Sequence, residues 1–508
     1  MAAAATAYAL VAVSGASAAG SAGGAGIGDP YYPLYGNGGY DVNHYAIDVA
    51  YTPATDRLVG RTTVRATTTQ YLTRFNLDLA LTASAVTVNG RPATFTKPNW
   101  HELQITPASA LNPGTPFTVE VRYAGVPSTV TPVGPTTFTP WTRTADGAVA
   151  VGEPEIAAWW YPSNDHPRDK ATFDIALTVP KGLEALSNGR LVGKTLGTST
   201  DTWRWRVANP MTTYLAFMAV GQFTVTRGTT AAGIPWLNAI AANGGAEAAA
   251  AAADLARTPE VVDWHASQWG PYPFEAMGGV APAAETGFAL ENQTRPVYSR
   301  GFWAGGQSNI YVVVHELAHQ WYGDSVSVHS WRDIWLNEGF ATFATWKWSE
   351  AHGEGTANQI LRQEYQGYAA SEDWFWGVTI GDPGAAGEFQ WPVYSRGAMT
   401  LQALRNRIGT ATFMNLMRSW AKARAGGNGS ISQFIALAEG LSGQDLTAFF
   451  DAWLYTPSKP AATVANGLDP RWATMLVSPA ERSQVASVRA GLKSTERAQP
   501  SPAPRVSP

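Results

Sequence analysis

The chain has 508 residues, a net charge of −4 and no cysteine, with 45% hydrophobic, 11% aromatic and 15% charged residues. That length suggests two to four domains, and the absence of cysteine excludes disulfides, thiol nucleophiles and thiolate-held metals, so a metal must be held by His, Asp or Glu. The near-balanced charge points to no nucleic-acid partner, and no apolar run of about 18 residues marks a stable membrane span.

Residues 1–26 read as a leader. An aliphatic stretch, Tyr8 to Val13, precedes Ala16-Ser17-Ala18, the small-residue pattern of a secretory cleavage site, although no Lys or Arg occurs before Arg57. A secreted or cell-surface location is the expectation. Residues 27–228 read as an antiparallel β domain. Tyr45 to Tyr51, Thr62 to Ala66 and Phe75 to Leu79 alternate with period two, and Asn89-Gly90 and Asn188-Gly189 are turn signals. The texture becomes helical over residues 229–460. Ala246 to Ala256 is an Ala-rich helix former between Gly244-Gly245 and Pro259. Further helices are expected over Asn309 to Tyr322, Asp333 to Glu350, Met399 to Ile408, Ala411 to Ala425 and Ser432 to Leu441, with strands between Gly279 and Thr294. Residues 461–508 read as a disordered tail, since no aromatic follows Ser478 and the run closes on Pro-Ser-Pro-Ala-Pro. The fold class expected is α+β and multidomain, a β domain followed by an α-rich one.

His315-Glu316-Leu317-Ala318-His319 is an H-E-x-x-H pattern on a predicted helix. Spacing of four puts both imidazoles on one helical face, able to grip a single ion, with Glu316 beside the metal rather than on it. Glu338 follows on the next predicted helix, with 18 residues between it and His319. It sits within Trp335-Leu336-Asn337-Glu338-Gly339-Phe340, where a carboxylate is expected to be buried and to need a cation. Two His and one Glu make a catalytic zinc set whose fourth position stays open for water or substrate. One Zn²⁺ per chain is expected.

The run His315 to Asp324 and then Trp335 to Ala341 resembles the gluzincin aminopeptidases, the family of membrane alanyl aminopeptidase and the leukotriene-hydrolysing enzymes, in a short two-domain form. The resemblance extends from about Tyr45 to Pro460. It implies a saddle-shaped N-terminal β domain on a thermolysin-like catalytic domain, a cleft more open than in longer members, and hydrolysis of the N-terminal bond of peptides with a free N-terminus. Glu316 would be the general base. Phe288-Ala289-Leu290-Glu291-Asn292 matches the family's G-A-M-E-N strand with the first Gly and the Met replaced. The match implies that Glu291 binds the substrate α-amine, with Ala289 and Asn292 in the same substrate-contacting stretch. Glu153-Pro154-Glu155 begins a segment that resembles the family's entry into the cleft. There Glu155 matches a second amine-binding acid and Glu153 stands for the usual Gln, near the pocket for the first side chain. Tyr394-Ser395-Arg396-Gly397-Ala398 matches Y-x-K-G-A, which implies that Tyr394 donates to the oxyanion. Arg396 replaces Lys. His44, His166, His265 and His329 have no partner at ligand spacing and read as structural. Two competing readings are a relative acting on a non-peptide such as an epoxide and a non-catalytic scaffold; the intact His315, Glu316, His319, Glu338 and Tyr394 argue against the scaffold.

Overall fold

The computed structural model describes residues 21–131 and 140–491, apart from 487 and 489. Its first unit is built on an eight-stranded sheet, in the spatial order Arg190–Leu196, Thr200–Thr212, Lys170–Pro180, Tyr40–Thr52, Arg57–Thr68, Pro116–Gly125, Thr82–Val88 and Arg91–Pro92. Alternation along residues 45–52 and along Lys170–Pro180 turns one face inward. Tyr45 and Phe173, register partners on adjacent strands, stack there at 5.0 Å. The expectation of an all-antiparallel domain is corrected at this place. Lys170–Pro180 runs parallel to Tyr40–Thr52, because a long excursion rather than a hairpin connects the two strands. Two four-stranded sheets complete the unit. One joins Ser21–Ala22, Leu72–Asp78, Glu102–Thr106 and Thr94–Thr96, so the end of the expected leader stretch is paired; the other joins Trp141–Arg143, Ala148–Ala150, Met218–Gly221 and Glu184–Leu186. The cleavage pattern at Ala16 to Ala18 lies outside the described residues.

The second unit starts earlier than the composition shift at 228 suggests. Phe223–Thr229 forms a hairpin with Pro235–Ala241, so this strand belongs to a five-stranded sheet that continues with Met277–Ala281, Val297–Tyr298 and, at the edge, Ala289–Leu290. The helices expected near 246, 309, 333, 411 and 432 occur as Gly245–Leu255, Ile310–Ala318, Trp335–His352, Thr410–Ala423 and Ile431–Ser442. The helix expected from Met399 begins at Trp391, with Pro392 in its first turn. Thr258–Trp269 was not anticipated, because Pro259 reads as a helix stop but serves in the first turn of a new helix. No helix among the described residues is long and apolar enough to cross a membrane.

The expectation of disorder from 461 is corrected through the described residues. Leu468, Trp472, Val485 and Val488 are buried in the core. Pro479–Gln484 is a helix held at its start by a Ser478/Glu481 capping box, and Glu481 also accepts from Arg362 Nη1 at 2.8 Å. A few apolar anchors and one cap suffice to dock a chain of otherwise polar composition.

Candidate metal centre and active site

Ile310–Ala318 carries His315 and Glu316 on a helix whose residues 311–318 are all buried. His319 continues in helical conformation before the chain turns away at Gly323, φ +141°. Trp335–His352 brings Glu338 against it. His315 Nε2 lies 3.2 Å from Glu338 Oε2 and 3.2 Å from His319 Nε2, and His319 Nε2 lies 3.4 Å from Glu338 Oε2. Zinc ligands at about 2.0–2.1 Å around a tetrahedron are about 3.3–3.4 Å apart, so this triangle fits one zinc ion. His319 Nδ1–H donates to the Tyr322 carbonyl at 3.0 Å, which leaves Nε2 as the lone-pair nitrogen. The electrostatics agree. Burial works against a charged His319, but Glu338, Glu291 and Glu316 outweigh it and push the ring up to about 10. Burial likewise opposes ionised Glu338, yet the two imidazoles bring it down to about 2. This is the field of a cation site.

Glu316 lies outside the ligand triangle and inside a second cluster. One ligand atom each of Glu291, Glu316 and His319 lies within 4.8 Å of the others. Burial pushes the Glu316 carboxyl well above its ordinary value, with the nearby His319 acting the other way. Glu291 follows the edge strand Ala289–Leu290, accepts from the Tyr214 hydroxyl at 2.9 Å, and its carbonyl accepts from Gln320 Nε2 at 2.9 Å. Tyr394 lies on the helix Trp391–Ile408 with its ring parallel to that of His315 at 6.1 Å. Burial and the surrounding glutamates keep its phenol protonated, well above 10.

The segment after Val151 enters from the first unit. Glu153 is buried, and after burial itself the groups that raise its carboxyl are Glu291, Glu338, Glu388 and Glu316. For Glu155 the neighbouring charge is Asp165. Both acids are buried, Glu153 among the field of the cleft carboxylates and Glu155 beside Asp165. Asn292 Nδ2 donates to the Leu215 carbonyl at 2.9 Å, which ties the strand end to the first unit. Ala289 stays half-buried on the edge strand. Tyr214, Gln320 and Glu388 were missed. Tyr214 and Glu388 carry no motif signal; Gln320 directly follows the second histidine and could have been found from that position.

Residues 41–215 match the Peptidase M1 N-terminal domain, and residues 265–453 match the Peptidase family M1 domain. The chain belongs to the M1 peptidase family. The glutamyl aminopeptidase of Rattus norvegicus is 30% identical over 352 residues, covering 65% of this chain and 37% of that protein. Aminopeptidase M1 of Arabidopsis thaliana is 28% identical over 338 residues, 62% and 37% of the two chains. This M1 peptidase thus spans little over a third of the length of these curated relatives. The M1 zinc metallopeptidase of Deinococcus radiodurans, in a variant bound to a Tyr-Ser-Ala substrate, superposes with a TM-score of 0.74 at 25% identity, over 86% of this chain and 99% of that one. In this M1 peptidase His315, His319 and Glu338 are accordingly the residues of a single zinc site.

Two further contacts of the M1 peptidase hold Tyr394 relative to Glu338. A Cβ on Gly397 would meet Gly339 Cα at 2.7 Å, so the two helices cross backbone to backbone one residue beyond the metal ligand. Arg396, fully buried, gives its guanidinium to the carbonyls of Trp453, Trp376, Val378, Ala452 and Thr456 at 2.7–3.2 Å. All five donors are used. The residue that replaces the family's Lys is an anchor for the Tyr394 helix.

Proposed function

We propose that this M1 peptidase is a zinc aminopeptidase that releases the first residue from peptides with a free α-amine. The observation that carries the reading is the Glu291–Glu316–His319 cluster, which puts an anionic anchor beside the general base. A substrate ammonium held at Glu291 fixes which peptide bond reaches Glu316. Charge supports the same reading. Glu153, Glu291, Glu316 and Glu338 are all buried, and buried carboxylates need compensation. A divalent ion and one ammonium compensate three of the four, and the proton that Glu316 accepts compensates the last.

When bound, zinc polarises the scissile carbonyl and lowers the pKa of a water from about 15.7 toward about 7. Glu316 takes the proton of the attacking water on its carboxylate and delivers it to the leaving amine. Tyr394 Oη–H donates to the oxyanion, where a neutral donor is worth most in a water-poor site. The free edge of Ala289–Leu290 offers backbone groups to an extended peptide. Glu153 reaches the ammonium from the opposite unit, so the binding site is completed by both.

The test compares Ala-, Leu-, Lys- and Arg-anilides with their N-acetylated forms. Free-amine substrates are expected to turn over and blocked ones to be poor. Glu291→Ala is expected to raise KM and lower kcat together, since the anchor also aligns the bond. Efficient internal cleavage of blocked peptides would replace this reading with an endopeptidase. Export by the leader is proposed alongside it. N-terminal sequencing of protein recovered outside the producing cell should then start just past Ala18.

A further inference from the structure

A second group of metal-ligating side chains lies in the first unit, away from the cleft. Asp78 ends the strand Leu72–Asp78 and stands in register opposite Glu102 on Glu102–Thr106, with His101 next to it in the chain. One ligand atom of each lies within 4.8 Å of the others. The three are 0%, 1% and 3% exposed for Asp78, Glu102 and His101. Asp78 Oδ2 accepts from Asn37 Nδ2 and from the Asp165 backbone N–H, both at 2.9 Å. Asp78 Oδ1 and both carboxylate oxygens of Glu102 have no hydrogen-bond partner. His101 Nε2 lies 3.1 Å from the Leu34 carbonyl and 3.7 Å from Asp78 Oδ1, while Nδ1 has no partner.

Two carboxylates facing each other across strands repel, and burying them without a cation is costly. No Lys or Arg among the described residues forms an ion pair with either one. Lys97, which is near in sequence, spends its ammonium on the Ala80 and Leu81 carbonyls. Because His101 Nε2–H donates to the Leu34 carbonyl, Nδ1 is the nitrogen left to bind an ion, the division of labour of a metal-ligating histidine.

We propose that Asp78, His101 and Glu102 hold a structural divalent transition-metal ion, of the zinc or manganese class, separate from the catalytic zinc. The imidazole selects against calcium and magnesium, which take all-oxygen sets, and two carboxylates select against soft-ligand metals. The ion would pin two strands together where Asp78 also exchanges backbone hydrogen bonds with Ser163.

The test uses the full chain and does not depend on peptidase activity. Element analysis after dialysis is expected to find two divalent ions per chain in the wild type. One should remain in His319→Ala, and one in the Asp78→Asn, Glu102→Gln double variant. Zinc or manganese added to chelator-stripped His319→Ala protein is expected to raise Tm by a few degrees, because the ion binds only the folded state. Should the double variant fold poorly, the His319→Ala measurements decide alone. No ion retained by His319→Ala, together with a Tm indifferent to both metals, would overturn the proposal and leave the two acids sharing a proton.

Discussion

Glu316 stands one position past a metal ligand, and on a helix that offset turns a side chain by about 100°. In the proposed reaction it would therefore reach the attacking water without occupying a ligand position. Glu316→Gln is expected to keep the zinc of the cleft and lose about 10²–10⁴-fold in kcat, checked by metal analysis beside single-substrate kinetics. Tyr394→Phe keeps the ring against His315 and removes only the donor, so kcat should fall about 10²–10³-fold with little change in KM. A loss confined to KM would move the oxyanion donor elsewhere. At this scale the zinc set was legible because its spacing is a property of helices. Two imidazoles four apart and a glutamate in an apolar run leave few other arrangements. The segment of Glu153 and Glu155 has no period that assigns separate roles to two nearby acids. Arg396 was recognisable as a substitution, but its role depends on five carbonyls brought from elsewhere in the chain.

At the scale of elements, the site depends on how closely helices approach. Gly339 and Gly397 are both part of sequence motifs, yet their purpose is visible only in the crossing, where neither tolerates a Cβ. The helix Thr258–Trp269 is fixed to the first metal helix by His265, whose Nε2–H donates to the Val314 carbonyl at 3.0 Å while Nδ1 accepts from Trp269 Nε1 at 3.1 Å. Neutral imidazole satisfies both bonds. Protonation would destroy the second, and burial accordingly lowers the pKa to about 3. A base depressed in the folded state binds its proton more readily when unfolded. Stability is therefore complete above the unfolded value of about 6.5 and falls by about 1.4 kcal/mol per pH unit toward 3. Urea unfolding of His265→Gln between pH 4 and 6.5 should show a slope smaller by one proton than the wild type. Equal slopes would mean that His265 does not titrate on unfolding. The sequence marked His265 as structural, and the helix it sits on was missed only because Pro259 opens an element as readily as it closes one.

For the whole molecule, the proposed function requires that two units stay registered, since Glu153 would come from one and Glu291 with the zinc ligands from the other. The joint between them was not legible, because polar contacts between distant segments leave no pattern in a sequence. Lys170 donates to the Asp324 and Ser325 carbonyls, at 2.7 and 3.0 Å, and Arg168 to the His329 carbonyl. Asp29 is the centre of this joint. Its Oδ2 accepts from Ser330 Oγ at 2.8 Å, Trp331 N–H at 3.0 Å and His166 Nε2 at 3.1 Å, while Oδ1 accepts from the Tyr31 N–H at 2.9 Å. Burial alone would raise this carboxyl, but these donors hold it well below the usual range. Asp29→Ala leaves buried donors on both units without a partner, at a cost on the order of 3 kcal/mol. The zinc ligands all lie within the second unit and should keep their ion. The expected outcome is earlier unfolding of the first unit in urea, resolved as a separate transition, with unchanged zinc content. KM for free-amine peptides should rise, because Glu153 is no longer held opposite Glu291. If unfolding stays a single transition at the wild-type midpoint and KM is unchanged, the units are held together by their apolar contacts and Asp29 is not what registers the cleft.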